Sequence, residues 1–222
     1  MKRTEAYFHR LWNLPKTIYF NVKVFGLREG MKLPVYITGN MRIACVYKGS
    51  IVIDAPKRRF MIELGEGGSE GLPNGKGSIY IAKGGKLIFT GNACFAQGCA
   101  IRIDKGTVII GTNFNANKNC TVWSSNGIEI GSDVLFGYNI YLRDDDGHEI
   151  VTQETSATRD KRIVLGDHIW CSSNVSILKG VRVPNNCVIG YNSCLMRSVE
   201  EENALVGGYP ARVLKSNITW KK

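Results

Sequence analysis

The segment from residue 165 to residue 195 has a six-residue period, which limits the fold of the chain more than any other feature. Every sixth residue there is apolar: Leu165, Cys171, Ile177, Val183, Ile189 and Leu195. A second series lies two residues before each member of the first series from Cys171 onward. Its residues are apolar or small: Ile169, Val175, Val181, Cys187 and Ser193. Turn-forming glycine, asparagine, aspartate and serine lie between them. A period of six fits neither a helix nor one long strand, and it is typical of short strands joined by turns.

Three such strands make one coil of a triangular parallel β-helix, in which one residue in six points into the prism. The sequence therefore predicts an all-β fold, a hexapeptide-repeat solenoid. The predicted inward side chains run through five coils: Phe89, Phe95, Ile101, Ile110, Ala116, Val122, Ile130, Phe136, Leu142, Leu165, Cys171, Ile177, Val183, Ile189 and Leu195.

The spacing between coils shows where extra residues are inserted. The five coils begin at Phe89, Ile110, Ile130, Leu165 and Val183, so the steps are 21, 20, 35 and 18 residues. A bare coil needs three strands of six, so every excess falls between a third strand and the next first strand. Insertions are thus expected along one edge of the prism, where a solenoid builds its binding site. The longest spans about residues 143–162.

This long insertion contains one histidine, His148, which follows three consecutive aspartates. Histidine gains and loses a proton near neutral pH, and a carboxylate partner often orients it as a general base for a hydroxyl. Asp146 and Asp144 are the nearest carboxylates that could orient His148, and the sequence leaves the choice between them open. We place Asp146 among the catalytic residues and Asp144 on the substrate side of the site. A solvated acidic loop with an incidental histidine is the alternative that spacing leaves open.

The net charge of +10 favours an anionic partner. The basic residues are not interleaved with aromatic residues as in RNA-binding motifs, so we do not expect nucleic acid to be the partner. Phosphorylated cofactors, acidic glycans, an anionic membrane surface and a merely solvated basic surface all remain open. No apolar run of about 18 residues and no signal-peptide pattern is present, so a soluble cytoplasmic protein is expected.

The seven cysteines include no CxxC pair. Four of them fall on predicted inward positions: Cys99, Cys120, Cys171 and Cys187. A buried free thiol behaves as a small hydrophobic group, and an odd number of cysteines argues against a disulfide framework. We therefore expect free core thiols in a reducing compartment and no metal site.

Residues 1–34 lack the six-residue period and are predicted to form an N-terminal arm. Tyr7, Phe8, Leu11 and Trp12 have helical spacing, and Pro15 ends the pattern. We expect a short amphipathic helix that caps the open end of the solenoid, while a peripheral membrane contact remains an alternative. The β-helix is predicted over residues 35–200, followed by a C-terminal extension over residues 201–222.

A glycine-rich segment, GEGGSEGLPNGKG, spans residues 65–77. It does not match a Walker A loop, because Lys76 is followed by Gly77 rather than by serine or threonine. We interpret it as a loop between two coils, and a contribution to an acceptor groove stays open.

Three motifs resemble those of the galactoside and maltose O-acetyltransferases. They are GTNFNANKNCTV at 111–122, IEIGSDVLFGYNIYL followed by GHEI, and the closing pair IGYNSCLMRS and VGGYPARVLK. The similarity is continuous over about residues 85–215, and the N-terminal third looks more like O-acetyltransferases of capsule and lipopolysaccharide biosynthesis. The resemblance implies a left-handed β-helix, a homotrimer, and acetyl-coenzyme A bound in clefts between neighbouring prisms.

The resemblance also implies roles for single residues. His148 would remove the proton of an acceptor hydroxyl, whose oxygen attacks the thioester directly; Asn117 would contact the acceptor sugar. The backbone N–H of Ser173 would hold the thioester oxygen. The residues implied along the coenzyme are Trp170, Tyr191, Met196, Arg197, Arg212 and Lys215. The three cations among them suit phosphate groups.

The chain departs from the family pattern at several of these positions. Glu149 stands where the family often has proline, Met196-Arg197 replaces a Thr-Lys pair, and Tyr191 replaces a small residue. Acetyl transfer stays the expected reaction, but the coenzyme contacts are expected to differ in detail. His168 occupies a turn position of the repeat, where we expect it to be exposed and non-catalytic.

The expected activity is acetyl-coenzyme A-dependent O-acetylation of a sugar hydroxyl in surface polysaccharide biosynthesis. N-acetylation of an amino sugar on a nucleotide carrier and a catalytically inactive β-helix scaffold remain alternatives. A carbonic anhydrase on the same prism would need three histidine ligands from adjacent coils. Because His148 and His168 are the two histidines of the repeat region, that function is excluded.

Overall fold

The computed structural model describes residues 10–69, 72, 75–149, 151 and 161–221. Over these residues it contains the helix α1 (Leu14–Gly30) and 22 short strands. The first eleven strands are β1 (Val35–Ile37), β2 (Met41–Cys45), β3 (Ile51–Ile53), β4 (Ile62–Leu64), β5 (Gly77–Ile81), β6 (Gly85–Phe89), β7 (Ala93–Phe95), β8 (Ala100–Ile103), β9 (Gly106–Ile110), β10 (Phe114–Ala116) and β11 (Thr121–Ser124). The others are β12 (Gly127–Ile130), β13 (Leu135–Phe136), β14 (Tyr141–Arg143), β15 (Ile163–Leu165), β16 (Trp170–Cys171), β17 (Ser176–Leu178), β18 (Arg182–Val183), β19 (Val188–Ile189), β20 (Cys194–Leu195), β21 (Leu205–Gly208) and β22 (Ala211–Lys215).

The strands form three sheets that the chain visits in rotation. Sheet A has the order β1-β4-β7-β10-β13-β16-β19-β21-β22, sheet B the order β2-β5-β8-β11-β14-β17-β20, and sheet C the order β3-β6-β9-β12-β15-β18. Neighbours are parallel except in the final β21–β22 hairpin. Each coil thus gives one strand to each sheet, and the fold is the predicted left-handed parallel β-helix.

The side chains that repeat every six residues form the core of the prism. Every predicted inward side chain is at most 3 % exposed. The strand register stacks these side chains in columns, so that Phe89 pairs with Ile110 and Ile110 pairs with Ile130. The predicted corner residues, Ile169 to Ser193, are buried as well. Burial of one large apolar side chain contributes about 1.5–3 kcal/mol, so the stacked columns are the main source of stability.

The turns between strands repeat the same backbone geometry from coil to coil. At the corner between sheets A and B, φ is positive at Asn119, Asn139, Asn174 and Asn192. Asparagine tolerates this left-handed conformation better than most residues. Side chains of successive turns also bind each other, since Nδ2 of Asn139 donates to Oδ1 of Asn174 at 2.8 Å. The turn residues of the repeat therefore have a backbone function, as predicted.

The seven cysteines, all of them described, form no disulfide, and five of them are buried. Cys99, Cys120, Cys171 and Cys187, which were predicted to point inward, are at most 1 % exposed. Burial raises the pKa of the Cys171 thiol well above its usual range. These thiols are therefore packing groups in the column of the core.

A short N-terminal helical segment is present as predicted, and it is followed by a longer helix that the sequence pattern did not reveal. Residues 10–12 are helical, Asn13 interrupts the pattern, and α1 then begins at Leu14 with Pro15 in its first turn. The prediction treated Pro15 only as an end, although proline is also favoured at the start of a helix. Tyr7 and Phe8 lie outside the described residues.

Helix α1 caps the open end of the prism. Its buried face contains Thr17, Phe20, Asn21 and Val24. Nδ2 of Asn21 donates to the carbonyl of Val35 at 2.6 Å, and Oδ1 of Asn21 accepts from the N–H of Val35 at 3.0 Å. The hydroxyl of Thr17 makes the corresponding pair of bonds with Ile37. These side chains replace the missing neighbour of β1, so that the edge backbone groups of this strand are satisfied.

At the other end, β21 pairs in parallel with β19 and extends sheet A beyond residue 200. The antiparallel strand β22 then covers this last strand. Among the described residues, no helix has the length and apolar character needed to cross a membrane.

Candidate functional site

Several predicted site residues lie one above another on the turns from sheet A to sheet B, which we call the A–B edge. Asn117 follows β10, Ser173 follows β16 and Tyr191 follows β19. The side chain of Asn117 is half-buried, and its backbone N–H donates to the carbonyl of Phe136 at 2.9 Å. The strand order therefore puts these three residues on one edge of the prism.

Among the described residues, the A–B edge offers backbone donors without a protein acceptor at Ser173 and at Tyr191. The Ser173 hydroxyl accepts from the N–H of Tyr138 at 3.2 Å, and the Ser173 carbonyl accepts from Asn192 at 2.9 Å. Within the described part of the chain, the backbone N–H of Ser173 has no acceptor. A fixed, unsatisfied N–H is the kind of group that can hold a developing oxyanion.

Tyr191 is anchored although it is 68 % exposed. Its hydroxyl accepts a hydrogen bond from Nδ2 of Asn174 at 2.9 Å. The ring therefore has a defined position beside Ser173 on the A–B edge.

His148 lies on a different edge, formed by the turns from sheet B to sheet C, which we call the B–C edge. The loop that carries it follows β14, and the imidazole is exposed. This confirms that the long insertion emerges at the predicted edge of the prism. Residues 150 and 152–160 of this insertion lie outside the described residues. A single chain thus presents His148 and Asn117 on two different edges.

The three aspartates before His148 have three different environments. Asp144 is fully buried, and its carboxylate accepts from the hydroxyl of Ser124 and from three backbone N–H groups at residues 125–127, at 2.6–3.1 Å. Asp145 accepts from the N–H of Gly147. Asp146 forms an ion pair with Nζ of Lys179.

These environments do not match the roles that were predicted for Asp144 and Asp146. The carboxylate of Asp144 has no exposed surface, so it holds the turn at 124–127 and cannot reach a substrate in this conformation. Neither Asp144 nor Asp146 makes a hydrogen bond to His148 among the described residues. In the structure, Asp146 holds the loop in place through its ion pair with Lys179.

A stack on the outer face of sheet B anchors the start of the His148 loop. The Arg143 guanidinium lies 4.0 Å from the centre of the Trp123 ring, and that of Arg102 lies 4.8 Å from it. The indole N–H of Trp123 donates to Asp104 at 2.8 Å. Gly147 has a φ of +82°, and a Cβ there would lie 2.7 Å from Nη2 of Arg143. Arg143 therefore packs between the Trp123 ring on sheet B and Gly147, the residue before His148.

The remaining predicted residues lie near the C-terminal end of sheet A. Arg197 and Arg212 line the same cavity of about 240 Å³. Met196 is 53 % exposed, and Lys215 is exposed at the end of β22. The structure thus brings the two arginines together, while Lys215 is not part of the lining of that cavity.

Trp170 is 37 % exposed and lies beside the C-terminal segment. Its ring centre is 6.0 Å from that of Trp220, which in turn stacks on His168 at 4.2 Å. The Trp220 indole also donates to the carbonyl of His168 at 2.9 Å. The φ of His168 is +54°, as expected at a turn, but the prediction that it is exposed was wrong, because Trp220 covers its ring.

The glycine-rich loop packs on the A–B edge next to Asn117. The buried side chain of Lys118 reaches the carbonyl of Leu72 at 2.8 Å, and Ser69 shares a short hydrogen bond with Tyr138. The sequence analysis left open that this loop contributes to an acceptor groove, and these two contacts lie beside the predicted acceptor residue Asn117. In the sequence, the one sign of this contact was Lys118, a lysine in a tight turn. Its ammonium group needs an acceptor when it is buried, and the loop supplies one.

No group of three histidine, cysteine, aspartate or glutamate side chains that could bind a metal is present in the described ranges. No family model matches the chain.

Two relatives illustrate what the sequence resembles. A polysialic acid O-acetyltransferase from Neisseria meningitidis is 33 % identical over 124 residues, which cover 55 % of this chain and 58 % of the relative. A galactoside O-acetyltransferase from Escherichia coli is 32 % identical over 108 residues, which cover 48 % of this chain and 52 % of the relative. The chain therefore spans just over half the length of each.

The fold agrees with these relatives. The crystal structure of the polySia-specific acetyltransferase NeuO superposes with a TM-score of 0.51 and 21 % identity, covering 84 % of this chain and 89 % of that one. At this identity the likeness concerns the fold alone. The chain is accordingly a hexapeptide-repeat left-handed β-helix, and the enzymes that it resembles in sequence are O-acetyltransferases.

Proposed function

We propose that the protein transfers the acetyl group of acetyl-coenzyme A to a sugar hydroxyl during the synthesis of a surface polysaccharide in the cytoplasm. The observation that carries the proposal is the division of the site between two edges. An exposed His148 stands on the B–C edge, while Asn117, Ser173 and Tyr191 form a row on the A–B edge. The named activities of the sequence relatives support acetyl transfer to oxygen.

In the proposed reaction, acetyl-coenzyme A supplies the activated acetyl group as a thioester. His148 takes the proton of the acceptor hydroxyl, and that oxygen forms a bond to the thioester carbonyl carbon. The N–H of Ser173 donates to the carbonyl oxygen while it carries negative charge. His148 then returns the proton to the sulfur as the carbon–sulfur bond breaks. Asn117 holds the sugar, and the proton balance requires no other group.

The C-terminal end of sheet A fits a phosphorylated coenzyme by its chemistry. Arg197 and Arg212 line one cavity together with Glu200 and Glu201, and the two guanidinium groups are the ones that bind phosphate oxygens in a fixed geometry. Exposed apolar surface at Trp170, Tyr191 and Met196 suits the uncharged arm of the coenzyme. Lys215 would meet the nucleotide end from β22.

We propose that the active form is a homotrimer, because the two half-sites lie on different edges of one chain. His148 and Asn117 can meet only if the B–C edge of one subunit faces the A–B edge of its neighbour. Such an interface joins two different surfaces, and it closes into a ring after a rotation of one third of a turn. Three equivalent sites would then lie between subunits. Sheet B, which lies between the two edges, would face the threefold axis.

The direct test compares His148→Ala with the wild-type protein. We expect the variant to bind acetyl-coenzyme A in a calorimetric titration with nearly unchanged affinity. Turnover on an acceptor sugar should fall by about 10²–10⁴-fold, since a general base contributes this much.

Glu149→Ala serves as the matched control, because Glu149 is the exposed neighbour of His148 in the same loop. We expect it to keep both binding and turnover. Undiminished turnover by His148→Ala would overturn the assignment of the base. A folded wild-type protein that does not bind acetyl-coenzyme A would overturn the proposed function as a whole.

A further inference from the structure

A separate cavity of about 430 Å³ lies on the outer face of sheet A, near the capped end of the prism. This volume is within the range of ligand-binding pockets. One wall is the segment before β4, with Arg58, Arg59 and Phe60; the floor is formed by side chains of the next coils, among them Asn92 and Asn115. The mechanism proposed above uses none of these residues.

The cavity has an excess of positive charge. Arg58 and Arg59 are exposed, and in the described part of the chain neither guanidinium forms an ion pair with a carboxylate. Glu63 is the carboxylate in the lining, and it already binds Nη2 of Arg10 at 2.9 Å. Burial raises the pKa of Glu63, although Arg10 opposes this shift. The two guanidinium groups of the wall therefore remain available to an anion.

Phe60 gives the cavity a fixed aromatic wall. Its φ is +56°, which is rare for an aromatic residue and costs on the order of 1–3 kcal/mol. Three contacts hold it there: its N–H donates to the carbonyl of Leu33 at 2.9 Å, its ring lies 5.3 Å from that of Tyr36, and the guanidinium of Arg59 lies 5.2 Å from the centre of its ring. Backbone strain that the surroundings maintain is typical of binding sites.

The amides opposite this ring suit the hydroxyl groups of a sugar. Oδ1 of Asn92 accepts from the hydroxyl of Thr112 at 3.1 Å, which orients its NH₂ group. Asn115 supplies a second amide from β10. A flat apolar wall combined with a few fixed polar groups is the usual design of a site that binds a small polar ring.

The cavity also adjoins the acceptor half of the proposed site. Asn115 and Asn117 are two residues apart on β10 and its following turn, so both point outward from sheet A. At about 3.3 Å per residue they are separated by roughly 7 Å. A chain of sugars that places one unit at Asn117 can therefore extend into the cavity.

We infer that this cavity is a subsite for a negatively charged sugar unit of the acceptor, next to the unit that is acetylated. Arg58 and Arg59 bind its anionic group, a carboxylate or a phosphate, and Phe60 packs against its ring. The inference rests on the proposed function, and it narrows the class of acceptor to acidic glycans.

The experiment compares three probes by calorimetry and by acetyl transfer: sialic acid oligomers, the same oligomers with reduced carboxyl groups, and a phosphorylated oligosaccharide. We expect at least one anionic probe to bind 10-fold or more tightly than the reduced oligomer. The double variant Arg58→Ala/Arg59→Ala should lose this difference and raise the acceptor KM by 10-fold or more. Its affinity for acetyl-coenzyme A should not change.

The double variant Lys83→Ala/Lys86→Ala is the matched control, because it removes the same charge from exposed lysines outside the cavity. It should keep the wild-type preference for anionic probes. Equal binding of charged and reduced oligomers, or an arginine double variant that behaves like this control, would overturn the subsite. Either result can occur while acetyl-coenzyme A binding and transfer to a neutral sugar persist, which separates failure of the subsite from failure of the proposed function.

Discussion

Asp144 and Asp146 are two residues apart in the loop that carries His148, yet their surroundings are opposite. Asp144 is fully buried and accepts four hydrogen bonds from residues 124–127. Asp146 is exposed and pairs with Lys179. Since the sequence shows only three adjacent aspartates, it cannot tell which of them the turn of the preceding coil will bind.

This difference predicts opposite effects of the same substitution. In Asp144→Asn, an NH₂ group replaces one acceptor oxygen and faces backbone N–H donors, so the free energy of unfolding should fall by about 2–4 kcal/mol. In Asp146→Asn, the loss should stay below about 1 kcal/mol, because a partly exposed ion pair contributes little. Urea unfolding of both variants measures this directly. Equal stabilities of the two variants would contradict the role of Asp144 in the turn.

At the scale of the element, the strands were predictable and a helical cap was expected, but the position of the capping helix was not predicted. The six-residue period placed the inward side chains of five coils, because each strand buries one residue against the same column. The buried face of α1 alternates Phe20 and Val24 with the polar Thr17 and Asn21. Such a face has no clear apolar period, so the sequence pattern did not reveal a helix at residues 14–30.

Those polar residues make the cap testable. Asn21→Ala removes three buried hydrogen bonds, two of which satisfy the N–H and the carbonyl of Val35. We expect a loss of about 2–4 kcal/mol in unfolding free energy, together with aggregation through the uncovered edge of β1. Lys23→Ala, on the exposed face of α1, should change stability by less than about 0.5 kcal/mol. Matching denaturation curves for the two variants would contradict the capping role.

The stack on sheet B shows why parts of the site escape sequence analysis. Trp123 and Arg143 are twenty residues apart in the chain and become neighbours only through the register of β11 and β14. The cavity at Arg58 and Phe60 lies in the early coils, where the period is irregular. Counting in sixes finds the edges of the prism, but it does not find side chains that meet across its outer faces.

At the scale of the whole molecule, the proposed site is divided between two edges of one chain. The corners of the prism separate the A–B edge from the B–C edge, so no movement of a side chain brings His148 to Asn117. The six-residue count predicted the edge from which the His148 loop emerges, whereas the roles of His148 and Asn117 stay predictions. In the proposed site the two edges meet through a second subunit, which the resemblance implied and which the six-residue period of one chain does not specify.

The most direct test of this account is complementation between two inactive variants, His148→Ala and Asn117→Ala, co-expressed in equal amounts. Each variant alone should have little turnover. In mixed trimers a site is intact when an Asn117→Ala subunit supplies His148 and its His148→Ala neighbour supplies Asn117. Random assembly gives about one quarter of sites in this state, so about one quarter of wild-type turnover should return. If the mixture is as inactive as either variant alone, the site lies within one chain and the account of a shared site is wrong.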